Sequence, residues 1–78
     1  MDWREYIEQR PGVMLGKPVI KGTRIPVELI LRKIAEGAST ADLLDAYPRL
    51  KPEDIQAALL YAADVIALEE VTYSDVNQ

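Results

Sequence analysis

The chain has no cysteine and no histidine in its 78 residues. The first absence excludes a disulfide framework, thiolate metal sites and a cysteine nucleophile, and fits a reducing compartment. The second removes the side chain that most often moves protons near neutral pH. There is also no phosphate-binding glycine loop and no serine placed with a base, so catalysis is not expected. No apolar run approaches the roughly 20 residues that cross a bilayer. The opening Met1-Asp2-Trp3-Arg4-Glu5 has acids where a signal peptide carries a basic and then an apolar stretch. These absences lead us to expect a cytoplasmic protein that is no enzyme, touches no membrane and holds no cofactor or metal ion. The adjacent carboxylates Glu53-Asp54 read as helix-start charges and Glu69-Glu70 as a solvated tail, rather than as ligands.

Bases are missing from one end of the chain. Residues 1–51 hold all nine Lys and Arg against seven Asp and Glu, a net of +2, whereas residues 52–78 hold six acids and no base, a net of −6. Within residues 10–33, Arg10, Lys17, Lys21, Arg24, Arg32 and Lys33 face only Glu28. A net charge of −4 argues against nucleic-acid binding, but this asymmetry points to two surfaces with different partners. The plain alternative is a set of solvated surface charges.

What is present describes one small domain over residues 1–78. A chain of this length buries only about 60% of the surface it exposes unfolded, so its core is thin and association would help it. From Met1 to Ile25 no helical apolar period is sustained, and Pro11-Gly12, Gly16, Pro18 and Gly22 punctuate the stretch. Val19-Ile20 and Thr23-Arg24-Ile25 read as a short hairpin around Lys21-Gly22, within a β-rich arm of residues 1–25. Its cations either present charge to phosphates or protect an exposed strand from edge pairing.

Three helices are expected over residues 26–67. Pro26 suits a helix start, Val27, Ile30, Leu31 and Ile34 recur at helical spacing, and Gly37 ends the run. Ser39 with Asp42 makes an N-cap for a two-turn second helix that Pro48 stops. The third opens at Pro52, with Leu50 placed to staple against Ile55 and with Lys51 as an N-cap that offers no side-chain acceptor. Along it, Ile55, Ala58, Leu59, Ala62, Ala63 and Ile66 form the expected core stripe. Leu60, Tyr61 and Leu68 project away from that stripe, toward either a second interface or a fold-back of the chain's own arm or tail. Residues 68–78 read as an acidic tail, with Val71 and Tyr73 available to a partner.

The run Gly16-Lys17-Pro18-Val19-Ile20-Lys21-Gly22-Thr23-Arg24-Ile25-Pro26-Val27 is followed by Gly37, Tyr47-Pro48, Leu50, Glu53-Asp54-Ile55, Ala57-Ala58-Leu59 and Tyr61-Ala62. Over residues 13–63 the chain thereby resembles the bacterial family called domain of unknown function 433. The resemblance implies a mainly α, trihelical, helix-turn-helix-like (homeodomain-like) fold, and a role as antitoxin to a nuclease-like toxin of the PIN type. Where that family usually has Thr or Ser before the third helix, this chain has Lys51.

The expected function is therefore an antitoxin that binds a toxin, and DNA, as a homodimer. The third helix carries Glu53, Asp54 and Asp64 and no base through residue 67, so it would repel phosphates. The nucleic-acid contacts expected are instead Lys17, Lys21, Arg24, Arg32 and Lys33, and the protein contacts Leu60, Tyr61, Leu68, Val71 and Tyr73. The alternative is a homo-oligomeric interaction domain without nucleic-acid binding.

Overall fold

The computed structural model describes the backbone of residues 1–76 and the side chains of residues 1–68. Three helices pack beside a two-stranded antiparallel sheet, so the architecture is mainly helical, as the periodicities require. The strands are β1 (Ile7–Glu8) and β2 (Val19–Ile20), and the helices are α1 (Val27–Ala35), α2 (Thr40–Ala46) and α3 (Pro52–Val76).

The arm differs from expectation in its pairing. The strand partner of Val19-Ile20 is Ile7-Glu8, in the register Ile7 to Ile20 and Glu8 to Val19, and not Thr23-Arg24-Ile25. The expected turn does form. Gly22 takes φ +78, the Thr23 amide donates to Ile20 O at 3.0 Å, and Ile20 N–H donates to Ile25 O at 2.9 Å. The returning segment then makes a single bridge, Val19 to Pro26, because Pro26 has no amide hydrogen with which to extend a ladder. The connection between the strands passes through Met14 and Leu15 at φ 49 and 57. Left-handed backbone at non-glycine residues costs about 1–2 kcal/mol each, a cost that propensity rules do not anticipate.

Helix boundaries follow local chemistry closely. Pro26 is the N-cap of α1 and Val27 its first residue, one position later than a proline at the first turn. At the other end, Gly37 at φ 102 lets its own amide reach Ile34 O and the Ala38 amide reach Lys33 O, closing a Schellman motif. Ser39 and Asp42 form a complete capping box on α2: Asp42 N–H donates to Ser39 Oγ at 3.1 Å and Ser39 N–H donates to Asp42 Oδ2 at 2.9 Å. The bond from the Ser39 amide, and then the Ser39 side chain, holds the Asp42 carboxyl below its ordinary value. At α3 the expected capping defect is half repaired, because the Lys51 amide donates to Asp54 Oδ2 at 2.9 Å. Helix α3 also runs past Ala67 to Val76 rather than giving way to a separate tail.

The core draws on every element: Ile7 and Ile20 from the sheet, Val27 and Ile30 from α1, Leu43 from α2, and Leu50, Ile55, Ala57 and Ala58 around the start of α3. Leu50 and Ile55 share this cluster, as a hydrophobic staple requires. Each fully buried aliphatic side chain here is worth about 1.5–3 kcal/mol. The expected stripe on α3 is rotated, however. Ala57 and Ala58 are buried, Tyr61 packs inward against the cluster, and Leu59 and Ile66 are 48% and 52% exposed. Small side chains let α3 approach the layer beneath it, and that approach decides which face is inward.

Candidate functional site

Two surfaces stand out once the fold is assembled: a cluster of cations around the Gly22 turn, and the apolar flank of α3. The first is built by two side chains that satisfy Gly22 from opposite sides. The Gly22 amide donates to Glu8 Oε2 at 2.9 Å, and Arg49 Nη2 donates to the Gly22 carbonyl at 2.9 Å. Arg49 sits in the loop between α2 and α3, so this bond ties that loop to the arm across 27 residues. Beside it lies an open cleft of about 290 Å³. Lys21, Arg49 and Lys51 line it, with Glu5 and Asp54 as its carboxylates and Tyr6 and Thr23 completing the wall.

Asp54 is only 3% exposed, and its Oδ2 accepts the Lys51 amide. Thr23 is also buried, and its Oγ1 donates to Ile20 O at 2.7 Å while accepting the Ile25 amide at 3.0 Å. Both polar groups are thus engaged by backbone, whereas none of the three cations is paired with a carboxylate among the described residues.

The five cations picked out from sequence divide into two sets. Lys17 and Arg32 both pair with Glu28, at 2.9 and 3.1 Å, and Lys33 pairs with Glu36 at 3.8 Å. The bond from Lys17, and then that from Arg32, holds the Glu28 carboxyl below its ordinary value. Arg4 and Arg10 likewise pair with Asp2 and Glu8. Lys21 and Arg24 have no carboxylate within ion-pair reach among the described residues, and the same holds for Arg49 and Lys51. All four unpaired cations therefore lie on the Gly22 turn or in the loop before α3. Arg49 and Lys51 were missed from sequence because their relation to Lys21 is made by tertiary structure. A signal was nevertheless available, in two bases flanking Leu50 at a predicted helix start.

The second surface lies on α3, where Leu59, Leu60, Val65, Ile66 and Leu68 are all exposed, Leu68 at 77%. Of the expected protein contacts, Leu60 and Leu68 are therefore open. Tyr61 is not: its ring meets Trp3 edge-on, with centroids 4.8 Å apart. Val71 and Tyr73 belong to α3 by backbone, but their side chains lie outside the described residues. Among the described residues no helix is long and apolar enough to cross a membrane.

Comparison with known proteins places this geometry. Residues 7–62 match the family described as Protein of unknown function (DUF433). The chain is 39% identical over 59 residues to an uncharacterized protein, y4eO, of Sinorhizobium fredii. That match covers 76% of this chain and 27% of the relative, so the chain spans about a quarter of the relative's length. A crystal structure of a DUF433 member from Anabaena variabilis superposes with a TM-score of 0.73 at 34% identity, covering 94% of this chain and 69% of that one. The cation cluster and most of the core fall inside the matched segment, and the chain belongs to the DUF433 family.

Proposed function

We propose that this chain is the antitoxin of a toxin–antitoxin pair, a homodimer that captures a nuclease-like toxin of the PIN type and contacts DNA. The observation that carries the reading is that α3 outruns the core. Leu59 and Ile66 share one face of α3 a heptad apart at about half exposure, and Leu68, on another side of the helix, is 77% exposed. A monomeric surface helix of a small domain has no use for such a face, whereas a protein partner does. Residues 52–78, with six acids and no base, supply charge complementary to a basic partner.

In this reading α2, the loop through Pro48 and α3 form a helix-turn-helix-like, homeodomain-like arrangement. DNA contact falls to the Gly22 turn rather than to α3, because no Lys or Arg lies on α3 to replace phosphate counterions. That same lack of bases favours the second reading, a homo-oligomeric interaction domain that binds no nucleic acid.

The test is co-expression with the product of the adjoining reading frame. Deleting residues 69–78 is expected to abolish neutralisation of the toxin while leaving dimerisation intact. Retention of both functions overturns the antitoxin reading, and DNA binding that shows no dependence on salt removes its nucleic-acid half.

A further inference from the structure

Among the described residues, five of the nine Lys and Arg side chains pair with carboxylates, and the four that do not lie on the Gly22 turn or in the loop before α3. Three of them, Lys21, Arg49 and Lys51, line a single cleft. Bringing like charges together costs free energy, and of the three only Arg49 returns a contact to the fold, its bond to the Gly22 carbonyl. The carboxylates that share the cleft lower its charge but make no ion pair with the three cations. Asp54 is turned onto the Lys51 backbone amide, and Glu5 pairs with none of the three.

We propose that this cleft binds a phosphodiester, one backbone phosphate of a nucleic-acid strand, through Lys21, Arg49 and Lys51. The inference rests on the nucleic-acid half of the reading above and names its contact point. Arg49 is already fixed by its bond to the Gly22 carbonyl, so its remaining guanidinium N–H groups are presented without further loss of freedom. The two lysines supply compact charges that a phosphate oxygen meets from several directions.

Charge balance selects the class of phosphate. Three cations and two carboxylates leave the cleft with a net charge of +1. That matches the single charge of a phosphodiester, whereas a phosphomonoester near neutral pH carries closer to two. Arg24 lies on the same turn, exposed and outside the cleft lining.

The experiment uses the full chain. A thymidine dinucleotide, which holds one phosphodiester, and inorganic phosphate are titrated separately while the backbone amides of Thr23 and Lys51 are followed by NMR. Duplex DNA is titrated in parallel by fluorescence anisotropy across a salt series. We expect the dinucleotide to shift those amides at lower concentration than phosphate does. Lys21→Gln and Lys51→Gln are each expected to weaken duplex binding several-fold and to reduce the salt exponent by about 1. Glu5→Gln, which raises the cleft to +2, is expected to strengthen binding of inorganic phosphate.

If duplex binding is unaffected by Lys21→Gln and Lys51→Gln, the cleft assignment fails while the DNA reading stands. If the dinucleotide titrates the cleft but duplex is not bound, the site stands and the DNA reading fails. Tighter binding of inorganic phosphate than of the dinucleotide overturns the phosphodiester assignment. Amide spectra of each variant establish that the fold is retained.

Discussion

Trp3 Nε1 donates to Asp64 Oδ2 at 2.7 Å, a bond that spans 61 residues and joins the first turn of the chain to the middle of α3. The same indole packs edge-on against Tyr61 and carries the Arg4 guanidinium 4.6 Å above its ring. Asp2 caps this turn by accepting the Arg4 amide at 3.0 Å. The N-terminal segment is therefore fastened to α3 and does not trail from the domain. Trp3→Ala is expected to destabilise the fold by about 2 kcal/mol, less than a fully buried tryptophan because Trp3 is only partly buried. Asp64→Ala should cost about 1 kcal/mol. In urea melts the double variant should lose less than the sum of the two, since both changes break the same bond. Additive losses would show that the bond contributes nothing beyond packing.

The elements legible in the sequence were those whose signals are local. Ser39 with Asp42, Gly37 after α1, and Leu50 with Ile55 each act within a few residues, and each appears where its chemistry places it. Ile7-Glu8 was not legible, because a two-residue strand has no period and its partner, Val19-Ile20, lies across a left-handed turn. The orientation of α3 was misread for a related reason. With apolar residues on nearly every side, helical spacing placed Leu59 and Ile66 in the core with Ile55 and Ala58, whereas packing buried Ile55 and Ala58, added Ala57 and left Leu59 and Ile66 half-exposed. The cation cluster combined both problems. Lys21 was visible as a base on an arm, but its neighbours Arg49 and Lys51 come from a loop that only the folded chain brings alongside.

Acid should loosen the junction between arm and α1 through Glu28. Its bonds to Lys17 and Arg32 depress its folded pKa below the ordinary 4.5. The resulting stability is fully present above the unfolded value and is lost as pH falls through the lower, folded one. Stability should therefore decline between pH 4.5 and the depressed pKa of Glu28, and Glu28→Gln should flatten that part of the profile. Denaturant midpoints measured from pH 6 downward check this. A parent and a variant with parallel profiles would remove Glu28 from the account. Asp42, depressed by its bonds to Ser39, contributes with the same sign, so the variant keeps a residual slope.

The flank of α3 is expected to govern association without supporting the monomer fold. Ile66 and Leu59 are half-exposed in the single chain, so Ile66→Glu or Leu59→Glu should leave the fold within about 0.5 kcal/mol of the parent. The same changes place a charge in any interface built on that face, and sedimentation should show a shift toward monomer. Unchanged mass at all concentrations would move the interface elsewhere. Ile30→Ala is the contrasting control, since Ile30 is fully buried and its truncation should cost about 2–5 kcal/mol.

Lys51 sets stability against binding most directly. It occupies the N-cap of a 25-residue helix, where its amide is accepted by Asp54 Oδ2 but its side chain offers no oxygen in return. Replacing it with serine supplies the missing acceptor and completes a box of the kind seen between Ser39 and Asp42. Lys51→Ser is therefore expected to stabilise the chain by about 0.5–1 kcal/mol in chemical denaturation. The same change removes one of three cations from the cleft, so the stabler protein should bind duplex DNA less tightly, with a shallower salt dependence. A poor cap retained for its charge is a trade of local stability for a contact. A Lys51→Ser chain that is stabler and binds as well as the parent would show that the lysine has no such use. One that is less stable would show that the Asp54 half of the cap already saturates the helix end.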